Sequence, residues 1–307
     1  MSAGLARRGI EWPTVTLFGG IYLAFGLLTW WATALPWWLV MPLGGYLVCL
    51  HGSAQHEALH GHPTRHNGLN ELIASPALGL WYPYRRYAKL HRTHHRNELL
   101  TDPQADPESW YMLPERWAGL PPVLQALHRL NNTLAGRLTI GPAVSMTRFA
   151  ISELRDLLAG DREVAAAWLL HLPAAALVLW WVVAVCGIPL WEYLLLFVYP
   201  GTSLMLLRSY CEHRAHETID GRTMVVEAGP VFGLLYLNNN LHAAHHEAPG
   251  LAWYELPAYY RAHRAELLAR NGGYLALGYG ELIRRYAFSA KESVAHPLAG
   301  HPKRVSA

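Results

Sequence analysis

Charge is scarce in this chain. Asp, Glu, Lys and Arg make up 15% of the 307 residues, against 52% hydrophobic residues. So little charge is poor for a soluble enzyme and points to the bilayer. Cysteine is scarcer still. Cys49, Cys186 and Cys211 are the three present, with no CxxC spacing, which argues against iron–sulfur clusters, zinc ribbons and disulfide frameworks. A net charge of +3 says little about partners, and no nucleic-acid-binding module is visible. A cleavable leader is not expected either, because Arg7 and Arg8 precede an apolar run too long for one.

Basic residues are absent from two windows, 9–64 and 163–207. Each window has room for two spans of about 20 residues joined by a tight turn. The expected spans are 14–34, 37–56, 164–186 and 190–208, with turns at Ala34–Pro36 and Gly187–Pro189. Trp30, Trp31, Trp37 and Trp38 suit an interfacial belt. Every Lys and Arg lies in the remaining chain, so the N-terminus, residues 57–163 and residues 210–307 are expected on the cytoplasmic side. Two apolar stretches, Leu72–Leu80 and Met224–Leu237, are interrupted by proline and too short to span, and the first is expected to lie along the membrane interface. The predicted fold is an all-α integral membrane protein with four transmembrane helices in two hairpins and a cytoplasmic helical cap. It forms one domain over residues 1–292, followed by a loose tail at 293–307. The competing reading is a soluble protein with buried core helices.

Histidine is what the chain has in abundance. Eight of its 18 histidines fall in three clusters: HEALH at His56–His60, HRTHH at His91–His95 and HAAHH at His242–His246. The first pairs His56 with His60 at i and i+4. The others place His91, His94 and His95, and His242, His245 and His246, at i, i+3 and i+4. These spacings put the imidazoles on one helix face, and neutral imidazole binds zinc, iron, copper and nickel. Both hairpins return to the same side, so the topology gathers the clusters there. Eight imidazoles are too many for one tetrahedral zinc and suit two metals, with His213 as the ninth candidate. HEALH also fits the HExxH pattern of zinc proteases, but that reading leaves the other two clusters unexplained. A zinc transporter would carry its ligands inside the membrane, whereas these lie beyond the helix ends.

Three such clusters interleaved with two hairpins resemble the membrane fatty acid desaturase superfamily, which includes alkane hydroxylases and carotenoid ketolases. The resemblance runs from about Thr14 to Arg264. HEALHGHPT and HRTHHRNELLTDPQADPES look like bacterial members, including the subgroup around rhizobitoxine desaturases. SYCEHRA is similar to the alkane-hydroxylase element that supplies an extra histidine, here His213. The resemblance implies two iron ions, with O2 as co-substrate, held by His56, His60, His91, His94, His95, His213, His242, His245 and His246. It implies desaturation of a fatty acyl or lipid-like chain in the inner membrane of a bacterium, with the site and both termini cytoplasmic. Hydroxylation by the same centre stays open, because three residues rather than four separate His56 from His60, and the likeness to the rhizobitoxine-desaturase subgroup leaves a small amino-acid-derived substrate open as well. The C-terminal HPLAG and HPK carry no haem-binding core. The electrons are therefore expected from a separate ferredoxin, rubredoxin or flavoprotein reductase.

Glu57, Asp102, Asp106 and Glu212 lie beside the ligand candidates and are placed to orient their rings. Asn239, within Asn238–Asn240, is a further candidate. Arg85, Arg86 and Lys89 are candidates for a substrate head group, or else ordinary interfacial anchors.

Overall fold

The computed structural model describes residues 9–299. The expectations for the N-terminus and for residues 300–307 lie outside these residues. The fold is mostly helical. Helix α1 (Trp12–Trp31) continues through a short 3-10 turn to Ala34, and α2 (Trp37–Leu59) follows directly after Leu35–Pro36. Next come α3 (Asn67–Ala74) and α4 (Tyr84–His94). Residues 101–113 form a loop, as their Pro and Asp content suggests. Then come α5 (Pro114–Ala118), α6 (Pro122–Asn131), α7 (Leu134–Thr139) and α8 (Gly141–Leu158). The second apolar pair opens with α9 (Arg162–Leu179), extended by π-helical turns to Val185. After Gly187–Pro189 the chain returns through α10 (Leu190–Tyr193), another π-helical stretch, and α11 (Tyr199–Glu212). The remainder is α12 (Pro230–Leu235), α13 (His242–Glu247), α14 (Leu256–Arg270) and α15 (Tyr279–Tyr286). A two-residue parallel ribbon pairs β1 (Val225–Val226) with β2 (Leu275–Ala276).

Among the described residues, three rods are long and apolar enough to cross a membrane: Trp12–Ala34, Arg162–Val185 and Leu190–Glu212. They mark a membrane protein. Helix α2 is as long but less apolar, because its C-terminal half carries His51, Ser53, Gln55, His56 and Glu57. It is the central rod, packed on α1 and on the α10–α11 rod.

Small residues set that packing. A Cβ on Gly44 would meet Phe197 Cδ1 at 2.6 Å, and one on Gly201 would meet Val48 Cβ at 2.6 Å. Only glycine allows backbones this close. The contacts advance together along both helices, Gly45 against Pro200, Val48 against Gly201 and Gly52 against Met205, so α2 and α11 run parallel. Their C-terminal ends, with His56, His60 and His213, therefore emerge at one end of the bundle.

Two sequence expectations need correction. The stretch Leu72–Leu80 does not lie flat on an interface along its length. Leu72 is exposed, but Ala77 and Leu78 turn into the core, where Tyr193 Oη donates to Leu78 O at 2.7 Å. His171, on α9, bonds Leu80 O at 2.6 Å in the same region. Residues 293–299 are not loose. Met112 N donates to Val294 O, and His296 N to Met112 O, both at 2.9 Å.

Candidate metal centre

All nine candidate histidines converge. Five form one group: His56, His60, His91, His95 and His245. Four form the other: His94, His213, His242 and His246. Within each group the ligand atoms lie within 4.8 Å of one another. The groups adjoin, with the His95 and His246 rings stacked at a centroid distance of 4.4 Å.

Helical geometry explains the partition. Each HxxHH sends its i and i+4 rings to one group and its i+3 ring to the other. From α4, His91 and His95 join the first group and His94 the second; from α13, His242 and His246 join the second and His245 the first. Positions i and i+4 lie 40° apart around a helix, and i+3 falls on the opposite flank of that stripe. The end of α2 adds two rings to the first group. His213, extended after α11 and bridged to Thr223, adds one to the second.

The tautomers follow from the outer contacts. His91 Nδ1 lies 2.8 Å from Glu108 Oε1, and His94 Nδ1 lies 2.9 Å from Asp106 Oδ1. His242 Nδ1 meets Asn239 Oδ1 at 2.9 Å, and His246 Nδ1 meets Asn97 Oδ1 at 3.0 Å. Carboxylate and amide oxygens only accept, so each Nδ1 donates and each neutral ring turns an Nε2 lone pair inward. Yet His242 Nε2 and His246 Nε2 stand 3.1 Å apart. Two lone pairs at that distance repel unless a cation lies between them. The other inward Nε2 pairs, His56–His91, His91–His95, His94–His213 and His95–His245, span 2.8–3.1 Å. Bonds of about 2.1 Å at a right angle hold two nitrogens about 3.0 Å apart, whereas tetrahedral ones hold them about 3.4 Å apart. His60 Nε2 is buried with no partner at all. The donor sets, five rings in one group and four in the other, therefore fit nitrogens gathered around a shared cation.

Electrostatics agree. Burial, then the neighbouring rings, push His60, His213, His242, His245 and His246 well below the usual imidazole range. They stay neutral, the form that binds metal. His94 is the exception. Burial opposes its charged form, but Glu108 and Asp106 outweigh burial and raise it to about 9. A positive charge is favoured there, whether proton or metal.

The family model for fatty acid desaturases matches residues 28–278, a stretch that contains all nine histidines. The chain belongs to the fatty acid desaturase family. No curated protein gives a significant match. Membership of the desaturase family supports an oxidoreductase, and the two histidine groups supply the metal-binding residues such an enzyme needs.

The remaining candidates divide. Asp106 orients His94. Asn239 orients His242, and its Nδ2 lies 3.5 Å from His56 Nε2. Glu212 Oε1 lies 3.4 Å from His242 Nδ1 and 2.8 Å from Arg208 Nε. Glu57 turns away from the rings to accept the Trp253 N–H at 3.1 Å. It is thus not placed as the base of an HExxH protease, and its two histidines sit among five. Asp102 Oδ1 caps the backbone N–H groups of Gln104 and Ala105. Asn238 and Asn240 hold the backbone at Trp253 and Val226. Arg85, Arg86 and Lys89 are paired within the chain, to Glu71, to Glu153 with Asp156, and to Glu163. That suits an anchoring role.

Glu108 and Asn97 are the orienting residues that sequence reasoning missed. Glu108 sits two residues beyond Asp106 in an acidic loop, which was its only signal. Asn97 starts a short 3-10 turn after α4, and nothing in its spacing marks it.

Proposed function

We propose that this desaturase-family protein is a di-iron, O2-dependent membrane oxidoreductase that desaturates a fatty acyl or lipid-like chain. The observation that carries this reading is the pair of adjoining groups whose Nε2 atoms face one another at 2.8–3.1 Å, with the lone pairs of His242 and His246 both turned inward. His56, His60, His91, His95 and His245 would hold one iron, and His94, His213, His242 and His246 the other. When bound, the irons supply the redox chemistry that lets O2 attack an unactivated C–H bond. O2 accepts two hydrogens from the substrate, and two electrons with two protons from outside, leaving a double bond and two waters.

The chain's own residues do the positioning. Asp106, Glu108, Asn97 and Asn239 fix the orientation of His94, His91, His246 and His242 through Nδ1, which keeps the Nε2 of these four rings free to ligate. Burial of the rings keeps bulk water from the oxidant. The three apolar rods and α2 serve as four membrane spans. The histidines then lie at the cytoplasmic face of a bacterial inner membrane, within reach of a separate ferredoxin, rubredoxin or flavoprotein. Hydroxylation is the second reading, favoured by the three-residue spacing in HEALH and by His213 in its CEH segment.

The test is mass spectrometry of lipids and small metabolites from cells expressing the wild type and His94→Ala, with metal analysis of the purified wild type. About two irons per chain are expected. A product lacking two hydrogens and absent from the variant means desaturation; one gaining an oxygen atom means hydroxylation. One tightly held zinc with peptidase activity would overturn the reading.

A further inference from the structure

A pocket of about 50 Å3 lies behind the second histidine group. Its lining includes His213, the cations Arg137 and Lys291, the rings of Trp110 and Tyr210, and the carboxylates Asp106, Glu108 and Glu292. The volume holds roughly three or four water-sized positions. That suits a carboxylate and is too small for a nucleotide-bearing thioester carrier.

Arg137 is the unusual member. Its side chain is 2% exposed, and among the described residues no carboxylate lies within ion-pair distance of it. Its Cζ sits 3.6 Å from the Trp110 ring centroid and 5.4 Å from that of Tyr210. Nε donates to Asn131 O at 3.1 Å, while Nη1 is buried without a partner. Burial lowers Arg137 to about 9, so it remains a cation at neutral pH. Arg86, in contrast, is equally buried and holds two carboxylates. A buried guanidinium with an idle N–H and no counter-anion is costly unless an anion arrives. The other cation, Lys291, donates from Nζ to His213 O at 2.5 Å. Glu292 Oε2, 4.0 Å from Nζ, offsets part of that charge, and the bond to His213 O ties the pocket to a ligand candidate.

We propose that this pocket is a carboxylate subsite, in which Arg137 holds the head group of a free-acid substrate beside the second histidine group. The proposal rests on the oxidoreductase reading above and narrows its substrate to unesterified acids. Two sources share that chemistry, a long-chain fatty acid and a short amino-acid-derived acid.

The test is isothermal titration of the full-length, iron-loaded protein in detergent with palmitate, 2-aminohexanoate and the methyl ester of each. At least one acid should bind, with its ester weaker by about tenfold or more, because an ester cannot accept the charge-assisted bond. Arg137→Gln should weaken the acid by a similar factor and leave the ester unchanged, and Arg137→Lys should recover part of the loss. Whichever acid binds identifies the source. Binding of neither acid, equal binding of acid and ester, or unimpaired acid binding by R137Q would overturn the subsite. Should the variants fail to fold, the acid–ester comparison on the wild type decides alone. Iron content and O2-dependent turnover, measured on the same preparation, report separately on the underlying reading.

Discussion

Glu108 Oε1 accepts from His91 Nδ1 at 2.8 Å, while Oε2 lies 4.0 Å from His94 Nε2. One carboxylate thus touches both histidine groups. The imidazoles beside it favour its charged form and, against the cost of burial, hold it well below the usual carboxylate range. Replacing Glu108 with Ala should lower iron affinity by about 10–100-fold, the usual cost of losing an outer-shell partner. Competition with a chelator measures it. Asp102→Ala should leave affinity near wild type, because Asp102 Oδ1 accepts from the Gln104 and Ala105 N–H groups and so serves the loop's turn. Equal losses for the two variants would contradict this assignment. The ligand histidines were legible from spacing alone. Their orienting partners were legible only in part: Asp106 and Asn239 stood out as neighbours of the clusters, whereas Asn97 and Glu108 reach the rings through turns that leave no periodic trace.

Helix α2 carries two ligand candidates and packs along α11, which delivers a third. The interface depends on Gly201, where a Cβ would stand 2.6 Å from Val48 Cβ. Gly201→Val should force the helices apart, destabilise the fold by about 1–3 kcal/mol and lower iron content, because His56 and His60 would move relative to His213. A lowered thermal midpoint together with lost iron is the expected result; unchanged values of both would show that the close approach is dispensable. The hairpins were readable from the two windows without Lys or Arg and from the prolines that end them. The parallel register of α2 on α11 was not, because small residues in an apolar run permit a close approach without naming its partner.

Across the molecule, the nine imidazoles come from the ends of α2, α4 and α11 and from α13, segments far apart in sequence. Metal should therefore act as a cross-link. Removing iron with a chelator should lower the thermal midpoint, and adding iron should restore it. An apoprotein as stable as the holoprotein would mean the fold holds the site without help. The orientation predicts a second outcome. With the half-buried Cys186 replaced by Ala, a cysteine at exposed Val123 should react with a membrane-impermeant maleimide only from the cytoplasmic side. Labelling from outside would invert the topology.

The sequence by itself determined that this is a helical membrane chain with nine histidines suited to metal. Charge depletion and i, i+3, i+4 spacing are local properties, and local properties survive without a fold. It did not determine which ring joins which group, which carboxylates orient them, or that Arg137 is buried without a counter-ion while Arg86 has two. Only the tertiary structure decided these, because each depends on which distant segments the packing of α2 against α11 brings within a few ångströms.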